Sequence, residues 1–375
     1  MTGSLPLAFY APLKSPHHPS PSGDRTMARL LMKALGAAGF DPVVASETRT
    51  LDKAGRRMDQ ERLRSESARE ADRLIDRYRN LPADRRPRLW FTYHVYYKAP
   101  DWIGPAVSAA LGIPYCVAEG SRAAKRASGP WALGHEGAET ALERADVLFV
   151  MTAHDREALE RLRPPKQVLV DLPPFLDVDD WTSAAKPRVS PAERRLLTVA
   201  MMRDGDKLAS YRILAQALGL LAPDSWFLDI VGDGDARRAV EALFRPFADQ
   251  IRFHGQVEDR AELRALYEQA HLFVWPAVNE AYGMVLLEAQ AFGCPVVAGA
   301  YGGVPSVVLH GEAGLLTLPG DATALAAAVA SLLSDPGERH RLSTAARRFI
   351  AEERGLSRAA ARLRTALMPL VEQSG

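Results

Sequence analysis

Cysteine is all but missing from this chain of 375 residues. Cys116 and Cys294 are the only two, each inside an apolar run and far from the other in sequence. Such thiols read as separate and buried, not as a disulfide or metal ligands, and they suit a reducing compartment. Hydrophobic runs stay short of the ~18 residues that mark a membrane-spanning helix. An excess of either charge is also lacking: 47 basic residues face 46 acidic ones, a formal net charge of +1. No global field therefore draws the chain to nucleic acid. The stretch from Met1 to Tyr10 has no basic leader and passes from a strand pattern into a Pro-rich loop, which argues against a secretory signal. These absences lead us to expect a cytoplasmic protein. What is present is ordinary for a globular chain, and the length suits two α/β domains better than one core.

Short apolar runs alternate with longer amphipathic stretches, the pattern of βαβ units in a parallel sheet. Strands are expected at 5–10, 42–46, 88–94, 114–118, 146–152 and 167–172, with helices such as 26–38 and 135–144 between them. A Pro-rich passage then runs from Pro173 through Pro187 and Pro191 and reads as a linker, 174–192. The alternation restarts with strands at 196–202, 226–231, 251–254, 272–275, 295–298 and 314–318, and helices near 336–353 and 357–372 close the chain. The expected fold is α/β, with two Rossmann-like domains at 1–173 and 193–354 and a final helix, 355–375, returning to the first. Open parallel sheets bind ligands beyond the carboxyl ends of their strands, and two such edges can face each other across a cleft.

Between Arg49 and Arg88 lie 13 basic and 8 acidic residues with only a thin apolar set, Leu63, Leu74, Ile75 and Tyr78. The favoured reading is a solvated helix laced with i,i+4 charge pairs. The other is a basic amphipathic helix that touches anionic lipid, which keeps peripheral contact with the inner face of a membrane open.

The strongest chemical signal lies between Leu272 and Pro319. Asn279-Glu280-Ala281-Tyr282-Gly283-Met284 leads from a strand into a helix carrying Glu288. Eight helical residues rise about 12 Å, so Glu280 and Glu288 can hold two ends of an extended ligand. Between them lie first-turn amides and the positive end of a helix dipole, which suit a diphosphate. Gly283 lets a phosphate approach the backbone without a Cβ.

At this point the sequence resembles the retaining glycosyltransferases of family 4, which have the GT-B fold. Their Glu-x7-Glu hallmark is matched by Glu280 and Glu288. The likeness continues through Ala289-Gln290-Ala291-Phe292-Gly293-Cys294-Pro295, Gly302-Gly303-Val304-Pro305 and Gly311-Glu312-Ala313-Gly314. The resemblance implies that Glu280 contacts the donor sugar, Glu288 holds the ribose, and Tyr282, Gly283 and Met284 line the donor site. It also implies an Arg and a Lys after the first strand of the second domain, matched by Arg203 and Lys207, with Lys207 one position earlier than usual. Fixed cations there stabilise the charge that grows on a departing diphosphate. Gly232, in Gly232-Asp233-Gly234, is expected to shape the floor of the nucleotide pocket, and Val257, after His254-Gly255-Gln256, to read the base.

On the acceptor side the family has a glycine pair in the first loop. Here Gly23 remains, Ser22 replaces its neighbour, Asp24 reads as a helix N-cap, and Arg25 is a candidate ligand contact. The family's histidine after a Gly-Ile-Pro strand is replaced by Glu119, while His94 ends the preceding strand, so both are candidates. Lys125 and Arg126, beside Trp131, are candidates for gripping an anionic acceptor. Three Asp-x-Asp patterns, at 177–179, 204–206 and 233–235, read as solvated loop acids, and no metal or cofactor is expected beyond the nucleotide-diphosphate sugar.

The resemblance implies a retaining, metal-independent transfer from a nucleotide sugar to a sugar, lipid-linked or small-molecule acceptor. Two other readings stay open: a non-catalytic nucleotide-sugar-binding protein, and another GT-B enzyme such as a sugar phosphorylase or epimerase.

Overall fold

A computed structural model describes residues 4–20, 22–179, 181, 194–223 and 225–373. Among these, twelve strands form two six-stranded parallel sheets, one in each of two units. The first unit comprises residues 1–174 and 356–375, and the second residues 175–355.

In the first unit the chain runs β1 (Leu5–Tyr10), α1 (Gly23–Ala37), β2 (Phe40–Ser46), α2 (Arg57–Arg79), β3 (Leu89–Val95), α3 (Gly104–Leu111), β4 (Tyr115–Gly120), α4 (Ala132–Arg144), β5 (Val147–Val150), α5 (Ala153–Arg161) and β6 (Val168–Asp171). The strands lie in the order β2-β1-β3-β4-β5-β6. Successive residues of β3 and β4 are buried on both faces, as expected for central strands covered by helices on each side.

In the second unit come β7 (Arg195–Val199), α6 (Asp206–Leu218), β8 (Phe227–Val231), α7 (Arg237–Phe244), β9 (Ile251–Gly255), α8 (Arg260–Gln269), β10 (Leu272–Trp275), α9 (Met284–Ala291), β11 (Val296–Gly299), β12 (Gly314–Thr317), α10 (Ala322–Ser334) and α11 (Pro336–Glu353). Their sheet runs β12-β11-β10-β7-β8-β9. The last helix, α12 (Leu356–Gln373), rejoins the first unit and packs on α1, burying Ala359, Ala360, Leu363, Leu367 and Val371. Pro187 and Pro191 of the expected linker lie outside the described residues.

Strand order reverses once in each sheet, between β1 and β3 in the first and between β7 and β10 in the second. Loops leaving neighbouring strands on opposite sides of such a point diverge and open a crevice, the usual ligand position of a doubly wound sheet.

The charged segment is α2. Its buried face carries Leu63, Ala71, Leu74 and Tyr78. Its outer face is laced by Arg57–Glu61 and Arg62–Glu66 one turn apart and by Arg73–Glu70 at three residues. That is the solvated, charge-paired helix, with its apolar stripe committed to the core. No helix among the described residues is long and apolar enough to cross a membrane. Cys116 and Cys294 are both buried free thiols, and burial raises the pKa of each.

Candidate active site

The switch point of the second sheet gathers one of two clusters. From β7 the chain turns through the exposed Arg203 and enters α6, which places Lys207 in the helix's first turn. From β10 it passes Trp275 and a loop in which Ala277 and Asn279 both adopt left-handed backbone angles, φ 58° and 48°. Side chains other than glycine rarely sit there, and such strain persists only where surroundings impose it. Here they do: Val278 donates its N–H to Ser210 Oγ at 3.0 Å, and Asn279 Nδ2 donates to Asp206 Oδ1 at 2.9 Å. The loop is thus tied at two points to α6.

That tie brings Lys207 and Glu280 together although 73 residues separate them. Lys207 Nζ donates to Glu280 Oε2 at 2.5 Å, and Trp275 Nε1 approaches the same oxygen at 3.4 Å. The ammonium also lies 5.5 Å from the Trp275 ring centroid. Gly302, at φ 50°, packs so closely on this loop that a Cβ would stand 2.5 Å from the Glu280 carbonyl oxygen. Arg203 makes no ion pair among the described residues; its carbonyl oxygen accepts from Leu208 N at 3.0 Å, and its side chain is open to solvent.

Gly283, at φ 74°, is the N-cap of α9, and its conformation turns the loop into the helix. Tyr282 and Met284 are buried beside it. Glu288, one turn further along α9, accepts a hydrogen bond from the Tyr267 hydroxyl at 2.8 Å. Burial raises its pKa, against the opposing pull of that bond and of the Arg260 charge. Gly232 follows β8 with its α-carbon against the Ala200 carbonyl, and Val257 is half-buried in the loop after β9. Gly23 belongs to the first unit, so it stands in the other body from the remaining donor-side candidates.

The first sheet's switch point gathers the second cluster. Tyr93 pairs with Ala118 and Val95 with Gly120, so register sets His94 beside Glu119 at adjacent strand ends. Both have left-handed backbones, φ 66° and 60°. His94 Nδ1 lies 3.6 Å from Glu119 Oε1 and 3.2 Å from Asp24 Oδ1. Asp24 is not the N-cap of α1. Ser22 fills that role, its Oγ accepting from Arg25 N, and Gly23 is the first helical residue. Freed from capping, the Asp24 carboxylate is turned toward His94.

These three groups set one another's protonation. Burial alone would discharge the imidazole, yet Glu119 and Asp24, with help from Asp155, hold its pKa up at about 9. Burial pushes Asp24 upward, but contact with His94 brings it below the ordinary carboxylate range. Glu119 goes the other way: burial raises it, His94 opposes, and Asp24 adds to the rise.

Arg25 donates to the carbonyl oxygens of His18 at 3.0 Å and Pro19 at 2.9 Å, so it braces the loop after β1. Arg126 lies 5.2 Å from the Tyr97 ring and 5.0 Å from that of Trp131, and Lys98 approaches the same two rings at 5.7 and 5.4 Å. Trp131 is fixed by its indole N–H to the Asp52 carbonyl, and Gln60 Nε2 donates to the Pro130 carbonyl at 2.7 Å. Lys125 is exposed on the same loop.

Of the Asp-x-Asp patterns, Asp177 is buried and not a solvated loop acid. Asp206 accepts from Asn279, and Asp233 is taken by Arg237 and the Gly234 N–H. No group of three acidic, histidine or cysteine side chains suited to a metal occurs among the described residues.

Sequence reasoning had not singled out Asp24 as a site residue, nor Trp275, Tyr267 or Lys98. Trp275 and Lys98 carried a usable signal, since each lies at a strand end or beside an aromatic next to a candidate residue. Asp24 and Tyr267 carried none, because their contacts depend on helix placement.

Residues 191–349 match the family model described as Glycosyl transferases group 1. A D-inositol 3-phosphate glycosyltransferase of Xylanimonas cellulosilytica is 34% identical over 227 residues, 56% of this chain and 54% of that protein. The match thus spans about half the length of that relative, as it does for its counterpart in Geodermatophilus obscurus, where it covers 50%. A GDP-mannose-dependent α-(1-6)-phosphatidylinositol monomannoside mannosyltransferase of Mycolicibacterium smegmatis is 30% identical over 276 residues, 66% of this chain and 70% of the relative. Among solved structures, sucrose-phosphate synthase of Thermosynechococcus elongatus superposes with a TM-score of 0.75 at 21% identity, covering 98% of this chain and all of that one. Anabaena HepE in complex with UDP gives 0.69 at 14% identity, again over 98% and 100% of the two chains. Those two likenesses speak for the fold, which is GT-B. Taken with the extent of the M. smegmatis match, they place this chain in the GT-B superfamily, among the group 1 glycosyltransferases.

Proposed function

We propose that this chain transfers a sugar from a nucleotide-diphosphate sugar to an acceptor, retaining the anomeric configuration as family 4 enzymes do. A role in polysaccharide, glycolipid or other glycoconjugate biosynthesis fits that reaction. The observation that carries the proposal is the Lys207–Glu280 pair, held at the switch point of the second sheet by a strained loop. A cation from the first turn of α6, paired with a carboxylate in the loop leading to α9, suits a diphosphate and a polyhydroxylated ring in turn. Arg203 and Lys207 neutralise the leaving diphosphate, Glu280 orients the sugar, and Glu288 holds the ribose. With cationic side chains and helix amides in the diphosphate role, transfer needs no metal.

Support for a nucleotide donor comes from HepE, solved with UDP, and from the M. smegmatis relative, named for GDP-mannose. For the acceptor, the Lys98 and Arg126 cations around Tyr97 and Trp131, with Lys125 exposed on the same loop, favour an anionic or phosphorylated molecule. His94 and Glu119 are proposed to meet its hydroxyls.

A thermal-shift panel of UDP, GDP and ADP tests the donor reading, since ligand at ~100 times its dissociation constant adds about 2.7 kcal/mol to stability. One nucleotide should raise the melting temperature, and the matching nucleotide sugar should be consumed when candidate acceptors are added. No shift with any of the three, from folded protein, refutes the donor site. A clear shift without turnover, across phosphorylated and lipid-linked acceptors, favours the non-catalytic reading.

A further inference from the structure

Tyr267, near the end of α8, is fully buried. Its ring stacks on Phe292, with centroids 6.0 Å apart at 26°, and tilts against Phe273 at 6.0 Å and 37°. Phe292 is held in turn by Trp181 at 5.0 Å and by the Arg264 guanidinium at 5.2 Å. A phenol locked this firmly between rings cannot swing, and buried tyrosine hydroxyls require a partner. The partner is Glu288 Oε2, at 2.8 Å. The opposite oxygen, Oε1, accepts no hydrogen bond from the described residues. A carboxylate that would otherwise rotate about its last bond is therefore fixed, with one oxygen engaged by the core and the other left for a ligand.

We propose that Tyr267 is a positioning residue which makes Glu288 a reader of the nucleotide's ribose diol, able to tell ribose from 2′-deoxyribose. The proposal rests on the donor-site reading above. A site built to accept from a hydroxyl rejects an analogue lacking it, because its own buried acceptor is then left unpaired. That rejection is sharp only if the acceptor cannot turn away to solvent, and the Tyr267 bond removes that freedom. Burial works against ionised Glu288, and the phenol's hydrogen bond works for it. Tyr267 thus fixes both the direction of the acceptor and its charge.

The experiment is calorimetric titration of the full chain with UDP, GDP, ADP and the 2′-deoxy form of each, in the native protein, Tyr267→Phe, Glu288→Gln and the double variant. In the native protein the preferred ribonucleotide should bind about tenfold more tightly than its deoxy form, the usual size of one hydrogen bond to a charged group. Tyr267→Phe should bring that ratio to about threefold or less by weakening ribonucleotide binding alone. In the Glu288→Gln background the same substitution should leave the ratio unchanged. A merely structural role for Tyr267 weakens both nucleotides alike, and an unaltered ratio in Tyr267→Phe overturns the inference while the donor site stands. If none of the three ribonucleotides binds, the donor-site reading falls and this inference with it. A measurement independent of the variant's folding is ¹⁹F NMR of the native chain carrying 3-fluorotyrosine, the Tyr267 signal being the one that moves in Glu288→Gln. It should shift with the preferred ribonucleotide and not with the deoxy form; an equal response to both overturns the inference.

Discussion

Asp24→Asn is the sharpest probe of the first unit's cluster, because its effect is confined to one pH window. At an effective dielectric near 20, opposite unit charges 3.2 Å apart attract by about 5 kcal/mol, and burial of the imidazole cancels part of this. With Glu119 and Asp155 adding their pull to that of Asp24, the net effect against burial raises His94 from 6.5 to about 9. That rise corresponds to roughly 3 kcal/mol in favour of the charged, folded form. A base whose folded pKa exceeds its unfolded value contributes this stability in full below the unfolded pKa. It loses the contribution as pH climbs through the folded one, so the window runs from about 6.5 to about 9. The groups facing the ring are Asp24, Glu119, Asp155 and the rings of Tyr93 and Tyr96. Replacing Asp24 removes the nearest charge and leaves Glu119 and burial opposed. The His94 resonance, identified among the nine histidines with a His94→Gln variant, should then titrate roughly one to two pH units lower. Urea denaturation at pH 6 and pH 10 supplies the second readout. The native protein should lose about 1.4–2.7 kcal/mol more across that interval than the variant does. Asp24 also sits in the first turn of α1, where a negative charge helps the helix at both pH values, so only the pH-dependent difference is diagnostic. An unmoved His94 titration in Asp24→Asn, or equal losses in the two proteins, refutes the reasoning.

Arg203→Ala should lower turnover by about 10²-fold while leaving the melting temperature unchanged, because the side chain is exposed and makes no ion pair among the described residues; steady-state kinetics on the folded variant decide it. Gly302→Ala puts a methyl 2.5 Å from the Glu280 carbonyl in a left-handed backbone, so it should displace the Glu280 loop and reduce kcat by tenfold or more, and wild-type kcat would count against Glu280 as a sugar contact. Chelation by EDTA should leave transfer rates unaltered; activity that is lost and then restored by magnesium or manganese would revive the Asp-x-Asp patterns.

Much of this architecture was legible in the chain. Each expected strand has a counterpart among the twelve observed, because parallel strands covered by helices must be continuous apolar runs, as in Leu89-Trp90-Phe91 and Leu272-Phe273-Val274-Trp275. Ends were less legible: the strand expected to reach Met202 stops at Val199, where the chain turns toward α6. In the second unit the spacing of Glu280 and Glu288 carried its meaning locally, since one loop and one helix hold both. Contacts that bridge distant segments did not show. Lys207 meets Glu280 only because β7 and β10 are neighbours, and His94 meets Asp24 only because Ser22 has already taken the cap. Arg25 is a candidate ligand contact by its place after Gly23, in the loop where the family has a glycine pair. Its bonds to two carbonyls of its own loop could not be read without the loop's path.

The first unit is assembled from two stretches of chain, and α12 covers α1 only after the entire second unit has been made. At ordinary rates of synthesis, roughly 5–20 residues per second, the side of α1 that packs on α12 waits on the order of ten to seventy seconds for its cover. The second unit, by contrast, is contiguous and can close on itself as it emerges. Order of completion is thus the reverse of order of synthesis, and a chain stopped before Leu356 delivers a finished second body beside an uncovered first one.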